Sequence, residues 1–122
     1  MKILIADDSA FMRGILKDIV ARSNWQQAEI IEASNGAEAL ELYRSAQPDL
    51  LLLDVVMPER TGIEVLQEIG GQTASVVILS SVDETETINQ AKQLGAKQYI
   101  TKPFDSEKVI AVLNELAPSQ GQ

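Results

Sequence analysis

Four stretches of the chain carry side chains that could do chemistry together: Asp7-Asp8, Asp54, Ser80-Ser81 and Lys102-Pro103. The first three follow short apolar runs and the last follows Tyr99-Ile100-Thr101, and together they offer three carboxylates, two hydroxyls and an ammonium. Carboxylates gathered in one place repel one another, so the cluster is tolerable only with a cation nearby or with protons retained. A divalent metal is the economical answer. The chain has no histidine and no cysteine, so the ligands would be oxygens, which select a hard ion. A site with few carboxylates that keeps waters and expects a phosphate suits magnesium, with manganese as the alternative. Three aspartates give −3, and a divalent ion with the Lys102 ammonium gives +3. The balanced site could then receive a phosphoryl group. Asp54 reads as its nucleophile: the carboxylate attacks phosphorus, the metal and Lys102 neutralise the equatorial oxygens, and the product is a mixed acyl anhydride. Ser80 can donate its hydroxyl to the new phosphoryl oxygens, and small Ser81 leaves the approach open. Lys102 precedes Pro103, which confines it to extended geometry and permits a cis bond.

Taken singly, each residue has a duller reading. An aspartate at a strand end is more often a helix cap or a turn former, a strand-end lysine is usually solvated, a Ser-Ser pair is usually loop, and Tyr99 is an ordinary half-buried packing residue. What reverses the odds is four separate strand ends each supplying a group that one phosphoryl-transfer site needs.

The elements that must position these groups follow from the apolar pattern. Residues 2–6 are a strand-type run stopped by Asp7-Asp8-Ser9. From Ala10, the residues Phe11, Met12, Ile15, Leu16, Ile19 and Val20 recur at helical spacing, with Arg13, Lys17, Asp18 and Arg22 on the other face, until Ser23-Asn24. A second strand spans 28–33, and Asn35-Gly36 opens a helix with Ala39, Leu40 and Tyr43 on one side that Pro48 terminates. Leu50-Leu51-Leu52-Leu53 has no alternation, so as a strand it must be covered on both faces and lie centrally. It delivers Asp54, and Pro58 prevents the run from continuing as strand. Thr61-Gly62 leads into a two-turn helix with Ile63, Val65, Leu66 and Ile69, stopped by Gly70-Gly71. Val76 to Leu79 is another unbroken strand ending in Ser80-Ser81, with Asp83 as the cap of a fourth helix whose apolar stripe is only Ile88, Ala91 and Leu94. So narrow a stripe predicts a weakly anchored helix. A fifth strand spans 98–101, Lys102-Pro103 ends it, and Asp105-Ser106 opens a last helix with Val109, Val112, Leu113 and Leu116 inward. Five strands alternating with five helices through short loops give one doubly wound α/β domain with a parallel sheet. Right-handed crossovers then bring every strand-to-helix loop to one edge. Asp7, Asp8, Asp54, Ser80 and Lys102 all stand on that edge.

With 122 residues, 45% of them hydrophobic, the chain fits a single domain with a sizeable core, taken as 1–118 with a polar tail at 119–122. A net charge of −8 argues against a nucleic-acid partner, which needs a basic face. No apolar stretch of about 18 residues, no leader pattern and no cysteine point to a cytoplasmic protein with no membrane partner.

In order and near spacing, Asp7-Asp8, Asp54 with Met57-Pro58 and Gly62, Ser80-Ser81, and Tyr99 with Lys102-Pro103-Phe104 resemble the motifs of response-regulator receiver domains. The likeness spans residues 2–116. It implies a flavodoxin-like (βα)5 fold with strand order 2-1-3-4-5. Asp54 would be the phosphoacceptor, and Asp7, Asp8, Asp54 and the backbone carbonyl of Val56 the magnesium ligands. Ser80 would be the switch hydroxyl, Tyr99 the switch aromatic and Lys102 the phosphate-binding lysine. The implied partners are a sensor histidine kinase, a downstream protein target reached through the face of the fourth helix, fifth strand and fifth helix, and a phosphatase. Such a protein is not an enzyme beyond its own phosphorylation and dephosphorylation. Phe11-Met12-Arg13 after the acidic pair resembles the chemotaxis type.

Two positions depart from the pattern. Many receivers carry polar side chains two residues beyond the phosphoacceptor and two beyond the switch hydroxyl, where they influence the hydrolytic water. Here these are Val56 and Val82. Three other readings compete. A relay intermediate would pass its phosphoryl group to a histidine phosphotransferase. A magnesium-dependent phosphatase of the haloacid-dehalogenase type also uses an aspartate nucleophile, but its Asp-x-Asp after the first strand is missing. A nucleotide or flavin binder is disfavoured because Asp7-Asp8 would repel phosphate where glycines or hydroxyls are needed, and no P-loop occurs.

Overall fold

The computed structural model describes residues 1–70 and 74–118. Five strands alternate with five helices: β1 (Lys2–Ala6), α1 (Ala10–Ala21), β2 (Glu29–Ala33), α2 (Gly36–Ala46), β3 (Leu50–Leu53), α3 (Gly62–Ile69), β4 (Ser75–Ser80), α4 (Thr85–Gln93), β5 (Gln98–Thr101) and α5 (Ser106–Leu116). The strands form one parallel sheet in the order β2-β1-β3-β4-β5, as the resemblance implied.

The four leucines of β3 explain why this strand is central. Leu51 and Leu53 enter one layer of the core with Leu4, Val76, Ile78, Ala39, Leu40, Val65, Leu66 and Ala91 of β1, β4, α2, α3 and α4. Leu50 and Leu52 enter the other with Ile3, Ile5, Leu16, Ile19, Val77, Leu79, Val109 and Leu113 of β1, α1, β4 and α5. Successive side chains of a strand point to opposite faces, so an unbroken apolar run fits only where both faces are covered. β2, at the edge, shows the complementary case, with Glu29 and Glu32 reaching solvent.

Helix ends follow the capping chemistry expected of them, with one exception. Ser9, Asn35, Thr61 and Asp105 each accept a backbone N–H of the first turn of α1, α2, α3 and α5, and Thr61 with Glu64 forms a reciprocal capping box. Asp83 does not cap α4. The N-cap is Glu84, which makes no side-chain capping bond, because the loop from Ser80 runs one residue longer than the capping pattern needs. Of the α4 stripe only Ala91 is buried, in keeping with weak anchoring. α1 runs to Ala21 with Arg22 as its C-cap, near Ser23-Asn24 as expected. Gly70 ends α3 at φ 64°, while Gly71 and the 119–122 tail lie outside the described residues.

One core assignment is corrected. Phe11, counted on the inward stripe of α1, is 78% exposed. It heads a file whose later members on the same side are Ile15, Asp18 and Arg22, so the ring shares the solvent side with two charged residues.

Candidate functional site

β1, β3, β4 and β5 end at the same edge of the sheet, and each delivers its polar group there. The Asp54 N–H donates to the Ala6 carbonyl at 3.0 Å, which extends the β1–β3 ladder one step beyond the strand and seats the two acidic loops side by side. Asp7, Asp8 and Asp54 each place a carboxylate oxygen within 4.8 Å of the others. Asp7 and Asp54 are buried and Asp8 is exposed.

The Lys102 ammonium lies between the two buried carboxylates and donates to Asp7 Oδ2 at 2.8 Å and to Asp54 Oδ2 at 3.1 Å. Its side chain is 17% exposed. Burial alone would push its pKa down, but the hydrogen bonds and charges of Asp7 and Asp54 outweigh burial and raise it above the ordinary lysine value of 10.5. Lys102 is therefore charged throughout the physiological range. Its backbone N–H donates to the Ser80 carbonyl at 2.8 Å, so the ends of β4 and β5 are joined at the site. The Lys102–Pro103 bond is cis.

The remaining carboxylate oxygens are held by main-chain N–H groups. Asp7 Oδ1 accepts from Ser9 at 2.9 Å and Asp54 Oδ1 from Val56 at 3.2 Å. Asp8 differs: its carboxylate has no hydrogen bond or ion pair among the described residues. Three aspartates against one lysine leave a formal −2, with one carboxylate uncommitted at the mouth of the cluster. Such a donor set fits a hard divalent cation, with the Val56 carbonyl close by on the chain as a further oxygen.

Ser80 is fully buried, and its Oγ accepts the Val82 N–H at 3.2 Å. The Tyr99 hydroxyl donates to the Val82 carbonyl, so both residues named as a switch meet at the β4–α4 loop. Burial of the phenol pushes the Tyr99 pKa up, joined by the charges of Asp54, Asp83 and Glu84 and opposed by a hydrogen bond with Ser80. Val56 is 55% exposed, whereas Val82 is partly buried against the core.

Two features of the site were not legible in the residue pattern. The first is close packing around the Asp54 backbone. A Cβ on Gly62 would lie 2.3 Å from the Asp54 carbonyl oxygen and 2.9 Å from Val55 Cα, and the Gly62 N–H donates to the Val55 carbonyl at 2.8 Å. The motif included Gly62, but its spacing said nothing of this approach. Gly62→Ala is expected to cost about 1–3 kcal/mol in a urea melt and to slow any chemistry at Asp54, because only backbone can give way. An unchanged melt would show that the loop moves freely. The second is Arg13. Placed on the outer face of α1 by its spacing, it folds back so that Nη1 donates to the Asp7 carbonyl at 2.6 Å and Nε to Glu32 Oε1 at 2.8 Å. Lys17 holds the other Glu32 oxygen at 2.9 Å. These hydrogen bonds, Lys17 first and then Arg13, lower the Glu32 pKa below its ordinary 4.5. Nothing in sequence signalled a contact that depends on where β2 lies.

Comparison with known proteins agrees over nearly the whole chain. The response regulator receiver domain model matches residues 3–114. The chemotaxis protein CheY of Thermotoga maritima is 37% identical over 118 residues, covering 95% of this chain and 97% of that protein. CheY of Bacillus subtilis is 39% identical over 116 residues, covering 93% and 95%. Among solved structures, the CheX-CheY-BeF3-Mg+2 complex of Borrelia burgdorferi superposes with a TM-score of 0.85 at 30% identity, covering 97% of this chain and 90% of that one. Fold, acidic cluster and sequence relatives converge: the chain belongs to the response regulator receiver domain family and is a response regulator of the chemotaxis type.

Proposed function

We propose that Asp54 accepts a phosphoryl group from a sensor histidine kinase and that the phosphorylated chain docks on a downstream protein target. The observation that carries this reading is the Lys102 ammonium held between Asp7 and Asp54 at 2.8 and 3.1 Å, beside a third carboxylate with no partner among the described residues. An Asp54 oxygen attacks phosphorus, the bond from phosphorus to the histidine nitrogen breaks, and the nitrogen keeps the electron pair and takes up a proton. Each Asp54 oxygen accepts a single hydrogen bond among the described residues, so lone pairs remain for attack. Lys102 follows the charge from the carboxylate to the incoming phosphoryl oxygens, and Ser80 supplies a hydroxyl to them once its loop turns toward the site. Asp7, Asp8, Asp54 and the Val56 carbonyl would hold Mg2+ or Mn2+, which when bound supplies the remaining positive charge to the phosphoryl oxygens. The B. burgdorferi relative was solved with Mg+2 and BeF3, which supports that assignment.

Docking is assigned to the face of α4, β5 and α5. Supporting this, α4 buries only Ala91, lacks a side-chain cap, and its leading loop carries the Val82 carbonyl that Tyr99 holds. The same relative is in complex with CheX, so a partner protein fits this chain as well. Among the described residues no helix is long and apolar enough to cross a membrane, which accords with action in the cytoplasm. Nothing in the site or the relatives favours the haloacid-dehalogenase alternative.

The reading is tested by incubating the full chain with Mg2+ and acetyl phosphate and measuring intact mass. One alkali-labile phosphoryl group per chain is expected, and borohydride reduction followed by peptide mapping should place it on Asp54. Modification elsewhere, no modification, or steady turnover of a small phosphate ester would overturn the mechanism.

A second expectation concerns lifetime. With valine at 56 and 82, no side chain at either position can orient water for in-line attack, so the acyl phosphate should persist. Val56→Asn with Val82→Gln is expected to speed decay of the phosphoprotein about tenfold or more, from the usual range of acid–base assistance. Equal decay rates in the two proteins would sink the idea.

A further inference from the structure

Asp7 is tied down at every polar atom it has. Its N–H donates to the Ala33 carbonyl at 3.1 Å, its carbonyl accepts from Arg13 at 2.6 Å, and its carboxylate oxygens are held by Ser9 and Lys102. Asp8, the next residue, is held by none of these. Its carboxylate is exposed and has no partner among the described residues, so its direction depends on the peptide that joins it to Asp7. Rotating that peptide would turn the Asp7 carbonyl and swing the Asp8 Cβ together. Arg13 grips that carbonyl, and Arg13 is itself fixed by Glu32, whose second oxygen is held by Lys17. The guanidinium is well suited to this, since its planar fork can serve the Asp7 carbonyl and Glu32 at once. Its side chain is only 16% exposed.

We propose that Arg13, held in place by Glu32, is a positioning residue that orients the Asp7–Asp8 peptide so that the Asp8 carboxylate meets the other two around a divalent cation. This rests on the metal-binding reading above. The sign of the effect separates it from a simple charge effect. As a bare positive charge beside an acidic cluster, Arg13 would weaken cation binding, and removing it would tighten binding. As a positioning residue it strengthens binding, and removing it loosens the site.

The test is calorimetric titration of the full chain with MgCl2 at fixed ionic strength, with thermal melts beside it, on wild type, Arg13→Ala, Arg13→Lys and the control Lys17→Ala. Arg13→Ala is expected to raise the Mg2+ dissociation constant about tenfold, the lower end for loss of an outer partner of a metal ligand. Arg13→Lys should also bind more weakly than wild type, because lysine lacks the two separate nitrogens, Nε and Nη1, that hold Glu32 and the Asp7 carbonyl in a fixed plane. Lys17→Ala, whose ammonium bonds Glu32 alone among the described residues and does not reach Asp7, should stay within about twofold of wild type. Phosphorylation of Arg13→Ala by acetyl phosphate should recover at high Mg2+, a shift in metal requirement with the maximal rate kept. A melting temperature that falls while Mg2+ affinity stays put, or affinity that tightens, overturns the proposal. Should Arg13→Ala fail to fold, Arg13→Lys decides, since a charge role leaves it equal to wild type. If wild type itself binds no Mg2+, the metal reading fails first and the inference falls with it.

Discussion

Asp54→Asn, given Mg2+ and acetyl phosphate, is expected to gain no phosphoryl mass under conditions where the wild type gains one group per chain. The amide keeps the shape of the carboxylate but lacks the anionic oxygen that attacks phosphorus. The fold should survive. The variant loses one of the two contacts to Lys102, the one at 3.1 Å, and keeps the shorter one from Lys102 to Asp7 at 2.8 Å. It also removes one of three mutually repelling carboxylates. These two changes oppose each other, so stability in a urea melt is expected to stay within about 1 kcal/mol of the wild type. Phosphoryl uptake by a folded Asp54→Asn protein would show that another residue is the acceptor.

Lys102→Met should be costly in two separable ways. Methionine keeps an unbranched apolar stem but leaves Asp7 and Asp54, both buried, facing each other with no ammonium between them. Removing one partner from a buried ion pair costs about 3 kcal/mol or more, and Mg2+ should return part of that stability by binding the folded state. Phosphoryl uptake at saturating Mg2+ should fall about 100-fold or more, as when a preorganised charge donor is lost from a reacting centre. The pH dependence gives an internal check. Since the folded-state pKa of Lys102 lies above the ordinary 10.5, the stability it contributes is fully present below that value and is lost as pH rises through the folded pKa. The gap in stability between wild type and Lys102→Met should hold level from neutral pH to about 10 and close at higher pH. A gap that narrows near pH 7 would mean that Lys102 is not the charged partner of the two aspartates.

Much of this protein could be read along the chain because its strongest signals are local. The unbroken apolar run at 50–53 admits no polar face, which makes it a central strand before any coordinates are known, and the runs at 2–6 and 76–79 read as strands beside it. Alternation of strand and helix with short connections then allows one handedness of crossover, and that rule gathers Asp7, Asp8, Asp54, Ser80 and Lys102 on a single edge. Strand order came from family resemblance, since apolar pattern alone does not say which strand neighbours which.

What the chain could not show by itself were contacts between residues far apart in sequence, whose geometry exists only after the sheet has formed. Phe11 matched the helical period of α1, yet 78% of it is exposed, since the face α1 buries is set by where β1 and α5 lie against it. Gly62 approaches the Asp54 carbonyl more closely than a Cβ allows, a matter of loop against strand. Arg13, on the outer side of its helix by spacing, reaches the carbonyl of Asp7 and a glutamate 19 residues away. Sequence determined which chemical groups the edge of the sheet would carry, because strand ends are marked by local composition. Tertiary structure decided how those groups are aimed, because aim depends on backbone partners that no local pattern records.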